Sequence, residues 1–262
     1  MQQYADGKIL AEVKDGVGRV VFNQPEKRNA MSIAMWDGMG TALDGFAADP
    51  AVRCVVLEGA GGKAFVSGAD ISQFEKSRSD AEAQKAYNAM TSVGRRKLAD
   101  FPKPVIAKIQ GFCMGGGLGI AMSCDLRIAG TGSEFGIPAA KLGIAYGFDM
   151  VTHLVQLVGP SEAHMILMTG ERFGAEEALR VGLINRLVPA DQLDATVDRL
   201  TATLAANAPL SLLANKRTVR AVLSGGDMAE TEAAQLRCFD SADYREGRRA
   251  FMEKRKPVFT GA

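Results

Sequence analysis

The chain has 262 residues, 47% of them hydrophobic, with 31 Lys and Arg against 30 Asp and Glu and a formal net charge of +1. That length can bury one large core, with or without a small appended unit, and the balanced charge argues against a global basic field for nucleic acid and against an acidic disordered tail. Cys54, Cys113, Cys124 and Cys238 lack CxxC spacing and read as reduced packing residues. No apolar run reaches membrane-spanning length and the N-terminal MQQYADGKIL carries no signal pattern, so the expected address is the cytosol, without membrane attachment.

Short β-type runs recur at residues 9–13, 19–22, 53–58, 105–109, 126–129 and 184–188, separated mostly by helical patterns, which predicts an α/β architecture. Ser32 is placed to cap a helix through residue 48 that buries Met35, Trp36, Met39, Leu43 and Phe46, with Ile33 on the same face. Residues 80–100 read as a second, more polar helix. His153 and His164 lie in helical stretches without a metal-binding arrangement, so no metal site is expected. From residue 191 the chain becomes nearly continuous helix, punctuated at Pro209, Gly225 and Asp243. The expected division is an α/β core over 1–190 and a helical region over 191–262.

The most telling stretch is PVIAKIQGFCMGGGLGIAMS, residues 104–123, in which a strand-like run meets Gly115, Gly116 and Gly117 and then a small-residue helical pattern. Glycine permits positive φ and close approach of backbone to a ligand, and the first turn of a helix has unpaired N–H donors suited to an oxygen that becomes negative. A phosphate cradle or simple tight packing is equally compatible with the run, although neither GxGxxG nor GxxxxGK[ST] is present.

A second glycine-centred segment, KAFVSGADI over 63–71, follows the strand RCVVLEG. Together with the early PEKRNAMS, the segment QGFCMGGGLGIAMSCDLRIA and the terminal EGRRAFMEKRKPVF, it closely resembles the crotonase superfamily, the enoyl-CoA hydratase/isomerase family, over nearly the whole chain. The resemblance implies a spiral of ββα units with a C-terminal helical region, assembled as homotrimers or hexamers. It implies an acyl-CoA thioester as substrate, with coenzyme A part of that substrate and no further cofactor. The backbone N–H groups of Ala69 and Gly116 would form an oxyanion hole for a thioester enolate. Arg28, Lys63, Ala64, Ala69, Asp70 and Ile71 would contact coenzyme A, with Phe251 and Lys254 supplied by a neighbouring subunit. The basic run GRRAFMEKRKP also reads as a solvated helix end.

The pattern departs from true hydratases at both catalytic glutamates, since the first position holds Gly119 and the second Ala139. Neither side chain transfers a proton, so two-carboxylate hydration is not expected, while enolate chemistry with electrons supplied by the substrate, such as decarboxylation, stays open alongside isomerisation and thioester hydrolysis. Tyr146 falls where methylmalonyl-CoA decarboxylase-like members place a tyrosine against a substrate carboxylate, although that branch keeps an acid at the Gly119 position. Asp149 reads as a helix N-cap and as a candidate proton carrier. Glu134 and Ser67 are weaker candidates, Ser67 reading as a residue that bonds its own turn. The alternatives are a non-catalytic acyl-CoA-binding or scaffolding protein and, through a local patch at Arg95, Arg96 and Lys97, a nucleic-acid binder.

Overall fold

The computed structural model describes residues 1–70 and 81–262. Its strands are, in chain order, β1 (Gln2–Tyr4), β2 (Ile9–Lys14), β3 (Val17–Phe22), β4 (Cys54–Gly59), β5 (Ala64–Val66), β6 (Val105–Ile109), β7 (Phe112–Met114), β8 (Leu126–Gly130), β9 (Glu134–Gly136), β10 (Arg172–Gly174) and β11 (Arg186–Val188). Its helices are α1 (Ile33–Ala48), α2 (Ala81–Ala99), α3 (Gly116–Ser123), α4 (Phe148–Thr169), α5 (Ala175–Arg180), α6 (Leu193–Ala206), α7 (Pro209–Ser224), α8 (Met228–Asp240) and α9 (Ala242–Met252).

Seven strands form one sheet in the order β1-β2-β3-β4-β6-β8-β11, and four form another in the order β10-β9-β7-β5. The β2–β3 hairpin closes through Asp15 and Gly16, both at positive φ, which is the two-residue turn whose twist matches its flanking strands. From β3 onward the large sheet is parallel, and its strands carry nearly unbroken apolar runs because both faces are covered. Val55 and Leu57 of β4 point into the larger core, with Phe22, Met35, Phe65, Ile109 and Phe135. Cys54 and Val56 point the other way, against Leu193 and Val197 of α6. The two-residue periodicity of the strand thus serves two cores at once.

The strands alternate between sheets: β4, β6 and β8 lie in the large one, and each is followed by β5, β7 or β9 in the small one. Helices α2, α3 and α4 follow these pairs in turn, which is the ββα spiral that the family resemblance implies. The small sheet was absent from the sequence reading, because its strands are three residues long and flanked by glycines.

The other departures have local causes. The break before the last helix falls at Ser241, which caps α9 by accepting from Tyr244 N–H, and not at Asp243. Asp243 lies inside the first turn, buried, where its carboxylate accepts the N–H groups of Thr260 and Gly261. Pro209 does not interrupt a helix but begins α7, where its missing N–H costs nothing. Helix α4 is bent where Gly159, at φ 75°, meets Pro160. No helix among the described residues is long and apolar enough to cross a membrane.

Candidate active site

The glycine triplet sits at the join of β7 and α3. Gly115 adopts φ 53°, ψ −118°, a backbone region closed to other residues, and its N–H is held by the Gly136 carbonyl at 2.9 Å. Gly117 has no room for a side chain, since a Cβ there would overlap the Val66 carbonyl. Gly116 is the first helical residue and so has no intrahelical acceptor for its N–H. At the far end of α3, the buried Arg127 donates to the carbonyls of Ala121 and Cys124 and, through Nε, to Leu183. Both helix ends are thereby fixed.

Facing this turn is Ala69. It forms a parallel bridge with Met31, in which Met31 N–H donates to the Gly68 carbonyl and Asp70 N–H donates to the Met31 carbonyl. The flanking groups are thus committed to residue 31, and the Ala69 N–H points away from it. A Cβ built on Gly116 would stand 3.9 Å from Ala69 N. Neither N–H finds a protein acceptor among the described residues. The Ala69 and Gly116 N–H groups thus lie on adjoining backbone segments that both line the same cavity.

The pair opens into a cavity of about 530 Å³. Tyr146 lines it, and a Cβ on Gly115 would lie 3.2 Å from the Tyr146 hydroxyl. At Gly119 a Cβ would overlap Met150 Cε and lie 3.2 Å from its sulfur, so the Met150 thioether covers the place from which a side chain at 119 would start. Ala139, also lining the cavity, is 6% exposed. Asp149 lines the cavity as an exposed residue in the first turn of α4. It is not the N-cap; Gly147 holds that position in extended conformation, and Asp149 instead complements the helix dipole. Ser67 lines the cavity too, and its hydroxyl reaches the Lys27 carbonyl at 3.4 Å rather than its own turn.

One wall comes from α2, whose Gln84, Asn88, Thr91, Ser92 and Arg95 recur at helical spacing along the cavity. Gln84 donates to Asn88 at 2.7 Å, and Arg95 Nη1 donates to Thr91 Oγ1 at 3.1 Å. The Arg95 guanidinium lies over the Trp36 ring, 5.7 Å from its centroid. Gly94 permits this approach, since a Cβ there would meet Trp36 Cε3 at 2.9 Å. Sequence reasoning put Arg95 on a candidate surface patch and did not single out Met150; the signal for Arg95 was the polar residues recurring along one face of α2.

The proposed coenzyme contacts divide. Arg28, in left-handed conformation, lies 4.9 Å from the Phe112 centroid, and Arg172 lies 5.4 Å from the same ring. Lys63 adjoins them through its carbonyl, which accepts Phe112 N–H. Ala64 is buried in β5, and Asp70 accepts Lys27 Nζ at 2.9 Å. Ile71 lies outside the described residues. Phe251 and Lys254 sit at the exposed end of α9 and line no part of the cavity. Glu134 is paired with Arg172 at 3.8 Å and is also outside it.

Burial raises the Cys54 thiol to about 11 and the Cys124 thiol to about 12, and pushes Cys113 well up, so these three are inert packing groups. No group of three or more His, Cys, Asp or Glu able to hold a metal occurs among the described residues.

A model of the enoyl-CoA hydratase/isomerase family matches residues 12–262. The chain is 36% identical over 252 residues to a short-chain-enoyl-CoA hydratase of Clostridium acetobutylicum, covering 95% of each protein. It is 34% identical over 255 residues to a crotonyl-CoA hydratase of Syntrophomonas wolfei, covering 96% of this chain and 97% of that one. A crystal structure of an enoyl-CoA hydratase/carnitine racemase from Magnetospirillum magneticum superposes with a TM-score of 0.95 at 35% identity, covering 99% of this chain and 97% of the other. By sequence and by architecture, the chain belongs to the enoyl-CoA hydratase/isomerase family of acyl-CoA enzymes, within the crotonase superfamily.

Proposed function

We propose that the protein stabilises the enolate of an acyl-CoA thioester between the Ala69 and Gly116 N–H groups and uses it for chemistry other than two-carboxylate hydration, with decarboxylation the reaction best suited to the site. One observation supports this above the others: Met150 packs over Gly119, so a thioether stands where hydration would need a carboxylate. Ala139 leaves the second carboxylate position apolar. A substrate that loses carbon dioxide needs no protein base: the breaking C–C bond sends its electron pair toward the thioester oxygen, where the two N–H groups hold it, and the α-carbon is then protonated. Tyr146, whose hydroxyl lies beside Gly115, is the side chain proposed to meet the departing carboxylate. Asp149, exposed and lining the cavity, is proposed to relay that proton from solvent. Arg28 and Lys63 with Ala64 and Asp70 are proposed for the coenzyme A end.

The test is a mass-spectrometric screen of the purified protein against crotonyl-CoA and against malonyl- and methylmalonyl-type thioesters. Conversion of a malonyl-type thioester with loss of carbon dioxide, and crotonyl-CoA hydration lower by on the order of a hundredfold or more, is expected. Efficient hydration of crotonyl-CoA would overturn the proposal. Thioester binding without any product would point to a non-catalytic binding protein.

Self-association is part of the same proposal. Val222, Met228, Phe251 and Met252, each about 80% exposed, leave large apolar side chains of the C-terminal helices in water, where a neighbouring subunit would cover them. Light scattering is expected to give three or six times 27.8 kDa; a monomer would remove the neighbouring-subunit role of Phe251 and Lys254.

A further inference from the structure

Gly116 and Gly119 are three residues apart in α3 and so share one face of it, roughly 4.5 Å from each other along the helix axis. Gly116 lines the cavity directly. Over Gly119 the lining is supplied by Met150, whose terminal methyl fills the space a Cβ at 119 would enter and whose sulfur lies 3.2 Å from that point. The floor beneath is fixed: Gly119 N–H donates to the Gly115 carbonyl at 3.0 Å, and the Gly119 carbonyl accepts the Ser123 hydroxyl at 2.9 Å. Met150 is held at its base. It belongs to the first turn of α4, and Leu154, one turn on along the same face and 0% exposed, anchors that turn in the large core. The thioether beyond is half-buried and lines the cavity. Being apolar and turning about three bonds, it is suited to meet hydrocarbon.

We infer that Met150 is a specificity-determining residue, the stop that ends the acyl pocket on the α3 side and restricts the enzyme to short acyl groups. This rests on the reading that places the thioester oxygen at Gly116. From a thioester carbon held there, an extended chain following α3 covers the roughly 4.5 Å to Gly119 in about three to four bonds, so the Met150 methyl meets it near the fourth carbon. The carboxylate assigned to Tyr146 lies on the other side. The Tyr146 hydroxyl is beside Gly115, the residue before the donor, while Met150 stands over Gly119, a turn beyond it. The two substituents of the α-carbon are thereby sorted, the carboxylate toward Gly115 and an alkyl group of up to about two carbons toward Gly119.

Calorimetric titration with acetyl-, butyryl-, hexanoyl- and octanoyl-CoA tests this. None of these carries a carboxylate, so the outcome does not depend on whether the reaction is a decarboxylation. In the unaltered protein, affinity is expected to rise on the order of fourfold per methylene from acetyl to butyryl and then to stop rising. In Met150→Ala the rise should continue, with hexanoyl-CoA binding on the order of tenfold tighter than butyryl-CoA. Met150→Leu, which conserves bulk, should keep the stop at butyryl. Each comparison is made within one variant, so a general loss of affinity does not imitate the result. Affinity that keeps rising to octanoyl-CoA in the unaltered protein, or a stop at butyryl-CoA that persists in Met150→Ala, overturns the inference and leaves the acyl-thioester site standing. Failure of all four thioesters to bind overturns both. Where Met150→Ala folds poorly, the series on the unaltered protein still decides, since a continued rise refutes the stop.

Discussion

At the scale of single residues, the site is made mainly of things side chains do not do. The proposed donors at Ala69 and Gly116 are backbone groups, and Gly116 stands at the first helical position, where its N–H lies outside the helix ladder. Gly116→Pro deletes one proposed donor and also distorts the turn, since a proline restricts the residue before it and Gly115 holds φ 53°, ψ −118°. Turnover is expected to fall on the order of a hundredfold, and undiminished turnover would dismiss the donor role. His153 gives a different kind of prediction. Burial first, then the positive charges of Arg220, Arg127 and Arg95, lower its pKa below the ordinary 6.5, with only Asp149 opposing them. The unfolded chain then binds a proton more readily than the folded one, so stability falls as pH drops through 6.5 toward the folded value. Thermal melting followed from about pH 7.5 to about pH 5.5 should show this loss, and His153→Gln should lessen it.

At the scale of elements, α3 shows how a short helix is made rigid. It has eight residues, seven of them buried, and no capping side chain at its N-terminus. Propensity alone would not hold a helix of that length. Tight seating of Gly117 against Val66 fixes one end, and Arg127 satisfies the carbonyls at the other. Arg127→Met would leave the carbonyls of Ala121, Cys124 and Leu183 short of a buried donor, and a loss of about 3 kcal/mol is expected from urea unfolding. A shift within error would show that water replaces the guanidinium. Much of this element was legible beforehand: the glycine triplet announced the turn, the small residues announced the helix, and Ser32 announced the cap of α1, where Met35 N–H does donate to its hydroxyl at 3.3 Å. The three-residue strands β5, β7 and β9 were not legible, because periodicity needs more residues than they have. Met150 was hidden for another reason. Its contact with Gly119 joins the start of α4 to the middle of α3, and no local pattern encodes a contact across a bend.

At the scale of the whole molecule, the C-terminal helices are joined to the α/β core by the apolar packing of α6 and by polar contacts. Lys216 of α7 is the clearest. Its side chain is 8% exposed, its ammonium donates to Asp125 at 2.6 Å and to the Lys103 carbonyl at 2.9 Å, and Asp125 in turn accepts Val105 N–H at the start of β6. Lys216→Met should destabilise the protein by about 2 kcal/mol, less than for a fully buried pair because Asp125 keeps some contact with water. Unchanged stability in chemical denaturation would show that apolar packing alone holds α7. The sequence located this helical region but not its fastenings, since Lys216 and Asp125 are far apart along the chain. A shorter connection has wider reach. Met31 fixes Ala69 by a β-bridge, and five residues later Trp36 supports Arg95, with the cap at Ser32 between them. One stiff turn of backbone therefore sets the separation between the Ala69 side and the Arg95 side of the cavity. The start of α1 is a ruler built into the cavity wall, and a change of its length would be felt on both sides at once.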